Sequence, residues 1–134
     1  MIGLIVAGHG EFARGLADTV RMLAGELEHV VCVDFPAGMA GEELEQHLLT
    51  AADFMSACNR FVILTDLPGG TPFRIAAGLA LADDRFRVLT GTNVPLLLQL
   101  ALSRTEGADV DELIASAVEG AREALLAFEV PKPW

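Results

Sequence analysis

An α/β fold is expected, as a doubly wound, mainly parallel four-stranded sheet in the order 2-1-3-4 with helices on both faces. Three observations lead there. Apolar runs at 2–7, 30–35, 61–65 and 86–90 are each followed by a longer amphipathic stretch, the alternation that right-handed βαβ units require. Glycine and proline punctuate the connections, in Gly8-His9-Gly10, Pro68-Gly69-Gly70-Thr71-Pro72 and Gly91-Thr92-Asn93-Val94-Pro95. A chain of 134 residues with 52% apolar content also suffices for one domain over 1–134. A domain of that size buries roughly two thirds of its unfolded surface without staples.

Each element has its own signal. The first strand, 2–7, is apolar throughout, as expected for a strand covered on both faces. Gly8 and Gly10 free the backbone for a tight turn into the first helix, 11–24, which carries Phe12, Leu16, Val20 and Leu23 at helical spacing. After the second strand, 30–35, a helix over 41–57 turns Leu44, Leu48, Ala51, Ala52 and Met55 inward, with Cys58 at its end. The third strand, 61–65, leads into a helix over 72–82 that opens on Pro72 with Thr71 as its cap. The fourth, 86–90, precedes a helix over 95–103. The last helix, 110–127, starts after Asp109 and places Leu113, Ala117, Ala121 and Leu125 on one face. Pro131 and Pro133 stop the tail from continuing as helix, and leave it able to lie on a sheet edge or to hang loose.

Composition removes several function classes. Nineteen acidic against nine basic residues give a net charge of −10, which repels phosphate backbones; with no basic run, a nucleic acid partner is not expected. No apolar run is long enough to cross a bilayer, and the first residues lack the pattern of a signal peptide, so a cytoplasmic location is expected. Cys32 and Cys58 read as inert thiols. His29 and His47 are isolated, and no His, Cys and carboxylate spacing suggests a metal. No G-x-S-x-G elbow supports a serine hydrolase.

His9 is the candidate reactive group. It lies between two glycines at the carboxyl end of a buried strand, where open α/β sheets bind ligands, and packing alone asks for no histidine there. If the first and third strands are neighbours, roughly 4.8 Å apart, Asp66 at the end of the third can reach the ring. A carboxylate accepting the Nδ1 proton fixes the tautomer, frees the Nε2 lone pair and stabilises the charge that develops when Nε2 attacks phosphorus. The bland alternative makes Asp66 a strand-end carboxylate capping the next turn. Gly70 and Thr71, ahead of a helix N-terminus, offer amides and a hydroxyl for an anion, with no Walker lysine after the glycines. Thr92 or Asn93 on the same rim serves as a helix cap.

A rival reading exists. Gly8-His9-Gly10-Glu11-Phe12-Ala13 fits the G-x-G-x-x-A dinucleotide fingerprint, and Asp34 ends the second strand where a ribose-binding acid belongs. Against it, His9 and Glu11 crowd the pyrophosphate position, and Glu11 adds negative charge to the helix N-terminus.

Ala7-Gly8-His9-Gly10 with Phe12-Ala13, the stretch Thr65-Asp66-Leu67-Pro68-Gly69-Gly70-Thr71-Pro72-Phe73, and Gly91-Thr92-Asn93-Val94-Pro95 together resemble the enzyme IIA component of the mannose-type bacterial phosphotransferase system, which covers mannose, fructose, sorbose and N-acetylgalactosamine branches. The resemblance spans nearly the whole chain. It implies a protein-histidine phosphotransferase without a cofactor. His9 would take a phosphoryl group at Nε2 from the histidine-containing phosphocarrier protein and pass it to enzyme IIB, for sugar uptake through the membrane-bound IIC/IID transporter. Asp66 would hold the ring and Thr71 would help receive the phosphoryl group. Members are homodimers that exchange a C-terminal strand, which would be 127–130 here. A regulatory phospho-acceptor or binding module of the same fold is the alternative.

Overall fold

A computed structural model describes residues 1–133. In chain order the elements are β1 (Ile2–His9), α1 (Phe12–Ala24), β2 (Val30–Phe35), α2 (Gly41–Phe54), β3 (Arg60–Thr65), α3 (Thr71–Ala82), β4 (Phe86–Leu89), α4 (Val94–Ser103) and α5 (Val110–Glu123). The four strands form one all-parallel sheet in the order β2-β1-β3-β4, as the alternation predicts. Because side chains alternate across a strand, β1 feeds two cores. Leu4 and Val6, with Val62 and Leu64 of β3, pack against α1, α4 and α5. Ile5 and Ala7, with Val33, Phe61, Ile63 and Phe86, pack against α2 and α3.

Several boundaries differ from expectation for local reasons. β1 runs on to His9, since Gly8 and His9 pair with Asp34 and Phe35 of β2. The turn therefore rests on Gly10, whose φ of 57° favours glycine. Gly8 answers a different need, because a Cβ there would stand 2.5 Å from Cδ1 of Phe12. α2 stops at Phe54, short of 57, where Met55 leaves helical geometry and drops its side chain into the core; buried Cys58 lies in the turn that follows. The buried stripe of α1 is Ala13, Leu16, Ala17 and Val20, which leaves Leu23 exposed. α5 ends at Glu123 rather than 127, because Leu125 and Leu126 face solvent and gain nothing by extending it. Residues 125–133 form neither helix nor strand, so 127–130 add no edge to their own sheet; Trp134 lies outside the described residues.

Candidate functional site

The register Ala7↔Thr65 between β1 and β3 brings the ends of both strands to one rim, with His9 and Asp66 just beyond the paired residues. Asp66 Oδ2 accepts the His9 backbone N–H at 2.9 Å and lies 2.7 Å from Nδ1 of its ring, while Oδ1 accepts the Leu67 amide at 3.0 Å. An ionised carboxylate only accepts, so the short contact places a proton on Nδ1, and in the neutral ring Nε2 then carries the lone pair. Burial pushes the Asp66 carboxyl upward, but the hydrogen bonds from the amide and ring of His9 and from Leu67 outweigh it and hold the group below its ordinary range. The two side chains differ in access: the imidazole is 47% exposed and the carboxylate 10%.

The ring is walled on two sides. Phe35, at the end of β2, meets it edge to face with centroids 5.7 Å apart, and its carbonyl accepts the Gly10 amide at 2.8 Å. On another side a Cβ at Gly70 would stand 2.8 Å from Cε1 of His9. Gly70 has an ordinary extended backbone (φ −72°, ψ 165°), so the glycine is required by the ring and not by the chain. Gly69, at φ 77°, is the residue that makes the turn.

The anticipated anion cradle needs one correction. Gly70 is the N-cap and Thr71 already belongs to α3, so Thr71 does not cap the helix. The Gly70 amide donates to the Leu67 carbonyl at 3.4 Å and Pro72 has no N–H, while no side chain caps the first turn. Thr71 Oγ1 accepts from Nη2 of Arg74 at 3.2 Å. The third rim segment is structural, as expected of a cap: Asn93 Oδ1 accepts the Leu96 amide at 3.0 Å, and its Nδ2 donates to the Ala121 carbonyl at 2.9 Å. The Thr92 amide donates to the Thr65 carbonyl at 3.1 Å and braces the strand end beside Asp66.

Asp34, reserved for ribose in the dinucleotide reading, is instead held by Arg14, whose Nε and Nη2 reach Oδ2 at 3.0 and 2.8 Å. Arg14 also reaches Glu11 at 3.3 Å. Burial raises the thiols of Cys32 and Cys58 above their ordinary range, which disfavours the thiolate. Among the described residues no cluster of three metal-ligating side chains occurs, and no helix is long and apolar enough to cross a membrane. Phe35, the ring-facing role of Gly70 and Arg74 are the parts of the site that sequence reasoning missed. Only Arg74 carried a signal, its i,i+3 spacing from Thr71 on a helix.

Fold and site together define an α/β protein that presents an open, carboxylate-held imidazole at the switch point of its sheet. Residues 3–118 match the family EIIA-man, described as the PTS system fructose IIA component, and the chain belongs to that family, the enzyme IIA components of the mannose, fructose and sorbose phosphotransferase systems. It is 31% identical over 128 residues to the mannose-specific EIIAB component of Escherichia coli K12, covering 96% of this chain and 40% of that protein. The chain thus spans about two fifths of that curated relative's length. It is 33% identical over 102 residues to the sorbose-specific EIIA component of Klebsiella pneumoniae, covering 75% and 73% of the two chains. The crystal structure of the phosphotransferase component EIIA from Streptococcus agalactiae superimposes with a TM-score of 0.87 at 31% identity, covering 95% of this chain and 97% of that one.

Proposed function

We propose that the chain is a phosphoryl-transfer intermediate of a sugar phosphotransferase system, folding as one domain over 1–134 and working in the cytoplasm. His9 accepts the phosphoryl group from the histidine-containing phosphocarrier protein and donates it to enzyme IIB, which serves the membrane transporter. The contact between Asp66 Oδ2 and His9 Nδ1, at 2.7 Å on a ring that is 47% exposed, carries this reading. In the first half-reaction the Nε2 lone pair forms a bond to phosphorus. The donor's P–N bond breaks in line, and the donor ring leaves with the electron pair. The proton on His9 Nδ1 stays in place, and Asp66 stabilises the positive charge the ring acquires. In this reading Thr71 and the amides at the start of α3, beside Gly70, receive the equatorial oxygens, where charge is spread in the transition state. The second half-reaction is the reverse, with enzyme IIB as acceptor.

Incubation with phosphoenolpyruvate, the system's first enzyme and the phosphocarrier is expected to give an acid-labile, base-stable phosphate. His9→Ala should abolish it. Undiminished labelling of that variant would overturn the assignment.

A further inference from the structure

Phosphoryl transfer to His9 brings negative charge to a rim that is already negative. Asp66 is ionised there, and the nearby cation Arg14 is neutralised by Asp34 and Glu11. Arg74, one helical turn into α3, is differently placed. It is exposed, has no carboxylate within ion-pair distance among the described residues, and donates from Nη2 to Thr71 Oγ1 at 3.2 Å. Thr71 directly follows Gly70, where a Cβ would stand 2.8 Å from Cε1 of the imidazole, the ring carbon that joins Nδ1 to Nε2.

Building on the assignment of His9 as phospho-acceptor, we propose that Arg74 is a positioning residue that orients and polarises the Thr71 hydroxyl toward the incoming phosphoryl group. A hydroxyl has one proton to give and two lone pairs to accept with. With Arg74 occupying a lone pair, the Thr71 proton is left for a phosphoryl oxygen, and the cationic donor strengthens the bond that proton makes. The chain Arg74–Thr71–phosphoryl thus delivers positive charge without a lysine in the glycine-rich turn. The guanidinium stays outside the immediate contact, which leaves the ring accessible to two successive protein partners.

The test is single-turnover transfer from phosphorylated carrier to the full chain, with acceptor concentration varied. Removing a direct oxyanion donor lowers rates by about 10²–10³-fold, so a residue acting one bond away should be worth about tenfold. Arg74→Ala is expected to lower the maximal rate about tenfold with half-saturation within about twofold of wild type, because its partner is Thr71 and not the carrier. Arg74→Lys should recover part of the rate, and thermal melting of both variants should match wild type. In a Thr71→Val background, Arg74→Ala should change the rate little further. An unchanged maximal rate in Arg74→Ala would overturn the proposal. So would an effect confined to half-saturation, or a full loss that persists without the Thr71 hydroxyl. Failure of the wild-type chain to take up phosphate, or labelling that survives His9→Ala, would instead remove the underlying assignment.

Discussion

One oxygen of Asp66 serves His9 twice: Oδ2 accepts its backbone amide at 2.9 Å and lies 2.7 Å from its ring Nδ1. The carboxylate therefore anchors the end of β1 and selects the tautomer in the same contact. Replacing Asp66 by Ala should slow single-turnover phosphoryl transfer on the order of 100-fold, since a misassigned tautomer removes the attacking lone pair from Nε2. Carrier affinity, measured by calorimetry, should change by less than about threefold, because a side chain 10% exposed offers a partner little surface. A variant that loses affinity while keeping its rate would place Asp66 in docking instead.

Gly70→Ala isolates the geometry of the ring. The Gly70 backbone is acceptable to alanine, yet the new Cβ would stand 2.8 Å from Cε1 of His9, so the imidazole must move. A displacement of about 1 Å at a reacting group can lower a rate about 100-fold. The expectation is a transfer rate reduced at least tenfold, with unfolding free energy within about 1 kcal/mol of wild type. A crystal structure of the variant should show the ring rotated away from Asp66. A full rate would mean that the ring has room it does not show.

How much of this was legible in the sequence depends on the range of the signal. The strand runs and the His9–Asp66 pairing could be inferred because strand order follows from βαβ alternation, and a parallel register aligns carboxyl ends. Asn93 was readable as a cap because capping is local. Helix ends were less so: Met55 is apolar and in phase, but its side chain reaches the core only by leaving the helix. Leu125 is in phase too, yet it lies past the end of α5 and is 87% exposed. Phe35 and Gly70 wall the ring from separate elements, a relationship that no spacing along the chain encodes.

Asp66 also sets an acid limit. Its carboxyl lies below its ordinary value of 3.8 because the bonds from His9 and Leu67 favour the charged form over the effect of burial. A depressed value in the folded state means stability that is present above the unfolded value and lost as pH falls through the folded one. The difference in unfolding free energy between wild type and Asp66→Ala should be about 2 kcal/mol at about pH 5. It should then shrink below about pH 4. Urea titrations at stepped pH measure it directly. A difference that grows as pH falls below about 5 would show the carboxyl raised, not lowered.

The tail gives the last expectation. Leu125, Leu126, Phe128 and Val130 are 87, 74, 83 and 76% exposed, a largely apolar segment interrupted by Glu129. Leu125 lines a groove with Val88, Leu89 and Val118, so the segment leaves the protomer beside β4, an unpaired edge of the sheet. We propose that this edge and this segment pair between two copies, the strand exchange that the family resemblance implies. Removing a large apolar side chain from water is worth about 1.5–3 kcal/mol, so a few of them per protomer suffice to hold a dimer at micromolar concentration. Sedimentation of the wild-type chain should give a dimer, and Phe128→Asp with Val130→Asp should give a monomer with unchanged helical circular dichroism, since neither side chain packs in its own core. A monomeric wild type, or a variant that remains dimeric, would mean that the tail does not hold the copies together.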